Sequence, residues 1–490
     1  MNRISSIYSL KFCAFRVEFP RSKSEPRPEG CGIPPNHDTA PRSRQPPVRL
    51  RLVRVRYFSY LVLPLAALLL ALVTPAAFAQ QAEPISLEEA VRIALSQNPD
   101  VQLARLDEEV AHQEVEIAKS PFTPQVFAGS GLAYTNGIPQ SIEGSTPSIV
   151  QAVGRQYIYN REQSNRVKQA RAMEAAAGFA TSGREEEIAF RVASSYLDFE
   201  RSWRRVRLLE DRLENWSRIE SATAALVEEG RKIPLELRQT QLERSRVEHE
   251  LNTQRAQKEV FEATLRHQLA LDPERRLAPK PTERANALAL PADLDSAREK
   301  ARENNPEAKR LVAALRSKGF EIQAEKGARY PRIDLVAQYS LLGRFNNFED
   351  FFNKFQRHNG QIGMSMQIPV FTGKAVSSRV GKAEVEARQL RVREAATRSG
   401  AELEAERLFS EVKQAESALK LSRAELDYAR ENLSVVLARQ DEGRAAMADV
   451  ERARVAESQA WAAFYDVQYD LQRAKLNLLR QTGELAAAFQ

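Results

Sequence analysis

The chain repeats itself. Asn98-Pro99 recurs as Asn305-Pro306 and Pro124 as Pro331, each 207 residues on. Glu229-Gly230-Arg231 recurs as Glu442-Gly443-Arg444, 213 residues on. Two halves share one plan, and a unit of about 200 residues is far longer than a solenoid repeat. One supersecondary architecture is therefore built twice.

Each half opens with a short helix. Ser86-Leu87-Glu88-Glu89 has the spacing of a capping box, and Asp293 is the matching N-cap in the second half. Asn98 and Asn305 restart the helix with Pro99 and Pro306 in its first position, where a missing N–H costs nothing. These helices are expected to end near Ser120 and Gly327.

A pair of β segments follows. Ile333, Leu335, Ala337 and Tyr339 alternate with Asp334, Val336, Gln338 and Ser340. Ile362, Met364, Met366 and Ile368 alternate with Gln361, Gly363, Ser365 and Gln367. In the first half the counterparts are Val126–Tyr134 and Ile149–Tyr159. Runs of about ten residues suit a tilted membrane strand, yet the same period of two fits a half-buried soluble hairpin.

Long helices come next, with no proline from Thr372 to Gln490 and only Pro234 between Ser148 and Asp272. Leu408, Val412, Ala415, Leu419, Ser422, Leu426, Ala429, Leu433 and Val436 step by four and three, a heptad seam that demands a partner helix. The stripe Val192, Tyr196, Phe199, Trp203, Val206 and Leu209 plays that part in the first half. Gly230 and Gly443 interrupt the pattern where a φ > 0 turn would send a second helix back antiparallel. A stretch such as Gly381–Gly443 spans about 90 Å as helix, too long to fold onto a compact globule. The halves are 80–272 and 292–490, joined by the Pro-rich 273–291.

Charge locates a leader. The net charge of +7 tempts a nucleic-acid reading, but residues 1–79 hold 12 Lys+Arg against 4 Asp+Glu, and the rest is close to neutral. No nucleic-acid partner is expected. Arg49, Arg51, Arg54 and Arg56 precede the apolar run Leu61–Val73, which ends in Ala77-Phe78-Ala79. That is a secretory signal over 49–79, predicting cleavage between Ala79 and Gln80. Residues 1–48 read as a disordered or over-called extension. Both cysteines, Cys13 and Cys31, fall there, so the mature chain has no disulfide or thiolate site.

The physical problem is then specific. Four strands cannot close a barrel, and open sheet edges in lipid leave backbone groups unpaired. The chain must pool strands with copies of itself, and helices continuing from the strands would extend the pore as a tube. Here the residues resemble the outer-membrane efflux protein (TolC) family across 83–485. The matching residues are Leu87, Ala90, Ala94 and Asn98-Pro99; Pro124 and Pro331; Gln367-Ile368-Pro369-Val370-Phe371-Thr372-Gly373; and Glu442-Gly443-Arg444 with Asp449-Val450. The resemblance implies a mainly α fold: long antiparallel coiled-coil helices and four transmembrane β-strands per chain. Three chains would close a twelve-stranded β-barrel above an α-helical periplasmic tunnel. It implies a homotrimer in the outer membrane of a Gram-negative-type bacterium. A periplasmic membrane-fusion adaptor and an inner-membrane pump would be its partners, in efflux or type I secretion.

In that family acidic rings narrow the tunnel at the helix–turn–helix tips. Asp449 lies six residues past Gly443, where the family often has Asp, and Glu236 lies six past Gly230. The next acidic position of the pattern is Arg452 here, so an Asp449–Arg452 pair could neutralise the ring. A solvated helix face with an ordinary i, i+3 pair accounts for the same residues. The tips, with Gly230, Arg231, Gly443 and Arg444, are candidate adaptor contacts, although turn chemistry alone would require the glycines. The second hairpin connection holds Phe345, Phe348, Phe351, Phe352 and Phe355; four of them, at 345, 348, 352 and 355, have helical spacing and suggest a short helix over the barrel mouth, with an aromatic girdle in the lipid headgroups as the alternative.

No enzyme is expected: the chain has no Gly-rich phosphate loop, GxSxG or HExxH, and His112, His249, His267 and His358 lie far apart. No cofactor or metal is expected. The competing reading is a periplasmic coiled-coil scaffold or adaptor without a pore. Such an adaptor would carry one helical hairpin between compact β domains, whereas two hairpins each follow a strand pair here.

Overall fold

The helices begin and end where the sequence places their caps. A computed structural model describes residues 82–131, 148–280, 289–343 and 356–489, all within one compact unit, Ala77–Gln490. The signal segment with Ala79 and Gln80, the extension 1–48 and the Phe-rich 345–355 lie outside the described residues. Helix α1 (Leu87–Gln97) starts at Ser86, whose Oγ accepts from Glu89 N at 3.2 Å. Helix α2 (Pro99–Lys119) starts at Asn98, whose Oδ1 accepts from Asp100 N at 2.9 Å. In the second half α5 (Leu294–Asn304) starts at Asp293, which accepts from Ser296 N at 2.7 Å. Its successor α6 (Pro306–Gly327) starts at Asn305, which accepts from Ala308 N at 3.1 Å.

The long helices are α3 (Arg161–Glu228, 68 residues) and α7 (Ala375–Asp441, 67 residues). Each is about 100 Å long at 1.5 Å per residue. Helices α4 (Pro234–Gln268) and α8 (Met447–Thr482) return from them. Neither returning helix covers its long partner alone. The upper part of α3 is matched by α2, through Arg105–Glu185 at 2.8 Å and Arg191–Asp100 at 3.2 Å. The lower part is matched by α4, where Val206 and Leu209 pack on Leu251. Asn98 Nδ2 donates to Gln268 O at 2.8 Å, so α4 and α2 meet end to end. In the second half α6 takes the upper part of α7 through Lys318–Glu386 at 2.9 Å, and α8 the rest. The predicted seam faces α8: Leu408, Val412, Ser422, Leu426 and Ala429 are all buried.

Both halves supply one sheet. Strands β2 (Gln125–Gly129), β3 (Ser148–Asn160), β5 (Arg332–Leu342) and β6 (His358–Gln367) run antiparallel in the order β2-β3-β5-β6. The register sorts the side chains. One face carries the cross-strand rows Gln151–Ser340–Asn359 and Gln338–Gln361, with Arg155, Arg332 and Asp334, and the apolar Phe127, Val153 and Val336 among them. The other carries Val126–Gly154–Ala337–Ile362, Gln156–Leu335–Met364, Ile333–Met366 and Leu341–His358, mostly apolar and with no Asp, Glu, Lys or Arg. This apolar face is bare: Ile362 is 76% exposed, Met364 75% and Val126 72%. The outer edges of β2 and β6 have no partner strand among the described residues.

Two short strands were not foreseen. Within 273–291, read from sequence only as a joining stretch, β4 (Leu277–Pro279) pairs in parallel with β1 (Glu83–Ile85). Tyr196 of α3 ties this pair down, its hydroxyl sharing its one proton between Ile85 O at 2.9 Å and Lys280 O at 2.7 Å. Around it lies the main core, built from Leu87, Val91, Ile188, Val192, Phe199, Leu265, Leu476 and Leu485 among others.

The C-terminal segment closes this core. Helix α9 (Leu485–Ala488) follows Gly483, and the N–H groups of Leu485 and Ala486 both donate to the Glu186 carboxylate at 3.1 Å. Burial pushes the Glu186 carboxyl up, those two N–H bonds hold it back and Glu185 and Glu484 add to the rise, leaving it at about 7. Lys300 holds Glu484 at 2.8 Å. The folded protein therefore retains a proton that the unfolded chain releases between pH 4.5 and about 7. That stabilising contribution is complete below the lower value and lost as pH rises through the upper one. Comparing wild type with Glu186→Gln, the thermal midpoint advantage of wild type is expected to shrink from pH 4.5 to 7. A difference that stays constant or grows with pH would contradict the assignment.

Candidate functional site

The two tips are built from the same turn. Gly230 and Gly443 both have φ 71°, the left-handed region that glycine enters without strain. Gly230 N donates to Val227 O at 3.0 Å and Arg231 N to Leu226 O at 2.8 Å. Gly443 N donates to Gln440 O at 2.8 Å and Arg444 N to Arg439 O at 2.7 Å. This is the Schellman arrangement twice, satisfying the last carbonyls of α3 and α7. Arg231 pairs with Glu229 at 3.2 Å and Arg444 with Glu442 at 3.1 Å, all four side chains exposed. The duplication thus extends to side-chain contacts.

Asp449 and Glu236 occupy the same place in α8 and α4, the third helical residue. Asp449 Oδ2 accepts from Ala446 N at 3.2 Å, and its Oδ1 stands 3.1 Å from Arg452. A carboxylate there stabilises the positive end of the helix dipole, and the i, i+3 pairing is the one its spacing suggests. Glu236 pairs with Lys232 at 3.3 Å.

Between the two hairpins, near their tips, lies a cleft of about 770 Å³. Trp216, Ile219 and Thr223 of α3 form one wall, Glu236, Thr240 and Glu243 of α4 a second, and Met447, Glu451, Arg452 and Val455 of α8 a third. Glu236 and Arg452 are brought together in this cleft, whereas Asp449 is not among its lining residues. The carboxylate that α8 does present is Glu451, which sequence reasoning passed over. Burial raises its carboxyl above the usual range, partly offset by Arg454 at 3.8 Å. The signal that could have found it is rotation: 449 and 451 are about 200° apart on a helix, so only one of them faces a given neighbour.

The histidines form no common site: His112 Nδ1 meets Glu174 at 2.7 Å, His358 Nδ1 meets the Tyr339 hydroxyl at 2.7 Å, and His249 and His267 are exposed. No group of three metal-ligating side chains occurs among the described residues, and no described helix is long and apolar enough to cross a membrane.

Two hairpins of about 100 Å beneath a sheet polar on one face and apolar on the other match a known architecture. The outer membrane efflux protein family model matches residues 90–270 and 297–484, one block in each half. The chain belongs to the outer membrane efflux protein family. It is similar to the outer membrane efflux protein BepC of Brucella suis biovar 1, 22% identical over 395 residues, covering 80% of this chain and 84% of that protein. Two crystal structures share the fold. A membrane protein from Pseudomonas aeruginosa matches with a TM-score of 0.65 at 17% identity, over 81% of this chain and 90% of that one. The Campylobacter jejuni CmeC outer membrane channel matches with 0.65 at 14% identity, over 81% and 85%. The expected mainly helical architecture of this family is the one observed.

Proposed function

We propose that this chain is the outer-membrane exit duct of a tripartite efflux or type I secretion system. Three copies pool their sheets into a twelve-stranded barrel, and their helices form a tunnel through the periplasm. The single observation that carries this is the sheet: a mostly apolar face without Asp, Glu, Lys or Arg left bare, a face that holds all of the sheet's paired Arg and Asp behind it, and two open edges. A barrel in lipid needs that polarity outward and those edges paired.

The helices support the same reading. Leu103, Leu106, Val110 and Ile117 make an exposed heptad-spaced stripe on α2, and Val385 and Val392 begin one on α7. Each copy would cover one stripe with a neighbour's. A scaffold or adaptor without a pore would leave both the stripes and the bare sheet face unexplained. Cell fractionation with heat-dependent gel mobility separates the two: the duct partitions with outer membranes as a trimer that dissociates on boiling. A soluble monomer refutes it.

At the tips, Asp449 and Glu236 narrow the entrance, and the Gly230-Arg231 and Gly443-Arg444 turns meet the periplasmic adaptor that links to the inner-membrane pump. Asp449→Ala removes a carboxylate repeated three-fold and frees Arg452 from it, so cation preference in planar bilayers is expected to fall. Unchanged conductance and selectivity would leave Asp449 as a helix cap alone.

A further inference from the structure

A second cleft lies away from the tips and is strongly basic. It measures about 970 Å³ and lies where α3, α6 and α7 pass the end of α5. Its charged lining is Lys168, Arg171, Arg302, Lys309, Arg316 and Arg398 against one carboxylate, Glu303. Beneath them lies an apolar floor that includes Ala172, Phe179, Val312 and Phe320.

Most of these charges lack a close counterion. Among the described residues Lys168, Arg171 and Arg316 make no ion pair within 4.0 Å; Arg316 lies over the Phe320 ring at 5.9 Å. Arg302 stands 3.8 Å from Glu402, at the limit of contact, and Lys309 donates to the neutral Asn304 Oδ1 at 3.2 Å. Only Arg398 has a short pair, Glu394 at 2.8 Å, and its Nε is buried with no partner. Close pairs do occur on the same helices, as Arg166–Glu162 at 2.7 Å, Arg184–Glu187 at 2.7 Å and Arg407–Glu404 at 2.7 Å. Six cations gathered around one cleft repel each other unless an anion joins them.

We propose that this cleft binds an amphipathic organic anion, with a sulfonate, carboxylate or phosphate among the cations and an apolar body on the alanine and phenylalanine floor. Either half of the ligand alone is a poor fit. A simple inorganic anion would leave the floor wet, and an uncharged apolar solute would leave the cations unneutralised. Occupancy ties α3 of the first half to α5, α6 and α7 of the second, so it stabilises their packing by mass action. The inference does not depend on the channel reading.

The probe is 1-naphthalenesulfonate, titrated calorimetrically into the full mature protein in a non-ionic detergent, with 1-naphthylmethylammonium as the charge-reversed control. Saturable binding of the anion, one per chain, and none of the cation is expected. Lys168→Glu with Arg316→Glu should weaken it about tenfold or more, since two attractions become repulsions. Should that double variant misfold, the milder Lys168→Gln with Val312→Asn tests charge and floor separately from folding. Equal binding of both probes, or affinity unchanged in the variants, overturns the proposal. Repeating the titration in nanodiscs identifies the source: loss of probe binding with phosphatidylglycerol, but not with phosphatidylcholine, assigns the anion to the membrane. Retained binding in both assigns it to a free solute.

Discussion

Gly483→Ala is expected to destabilise the protein by about 2–4 kcal/mol. Two costs coincide there. Gly483 has φ 69°, in the left-handed region, and a Cβ at this position would stand 2.7 Å from Asn304 O and 3.5 Å from Pro306 Cδ. A backbone carbonyl at the joint between α5 and α6 cannot swing aside as a flexible side chain would. Gly443→Ala is the internal control. Its φ is 71° but an added Cβ meets nothing within 4 Å, so only the conformational cost of about 1 kcal/mol applies. Thermal loss of helical circular dichroism should fall far more for Gly483→Ala than for Gly443→Ala. Equal shifts would mean that the α8 terminus is not held against Asn304.

The second large effect depends on the solvent of the sheet. Met364 is 75% exposed and lies on the apolar face between Ile362 and Met366. In water, Met364→Arg would change stability by no more than about 0.5 kcal/mol. On the lipid face of a barrel the same change costs about 2–4 kcal/mol near the bilayer midplane. Ser365→Arg, one residue on, points to the face that carries Asp334 and should be tolerated. The yield of heat-modifiable protein in outer-membrane fractions is expected to collapse for Met364→Arg and to survive for Ser365→Arg. Similar yields from both would remove this sheet from the membrane.

How far the fold could be read in advance follows from the range of the forces involved. Ser86, Asn98, Asp293 and Asn305 were legible as caps because each satisfies an amide two or three residues away. Gly230 and Gly443 were legible because a helix reversal needs a positive φ at one residue. The β1–β4 pair was not: three residues carry no period, and Glu83 meets Leu277 only after the first half has folded between them. Glu186 looked like one of many helix-face acids, and its burial depends on a segment about 300 residues later. At the tips, the Asp449–Arg452 contact was visible in an i, i+3 spacing, as found. The meeting of Glu236, Glu451 and Arg452 in one cleft was not, because it arises from how two hairpins pack.

The strand order β2-β3-β5-β6 has a consequence for mixed populations of the chain. With the two halves already joined through β3 and β5, every seam of the proposed ring sets β6 of one copy against β2 of the next. All seams are alike and none is redundant. A proline on the outer edge of β6 would spoil one seam in whichever ring received it. Expressed in equal amounts beside the intact chain, such a variant would leave only roughly one ring in eight free of it. One damaged gene copy would then silence most of the product of a healthy one.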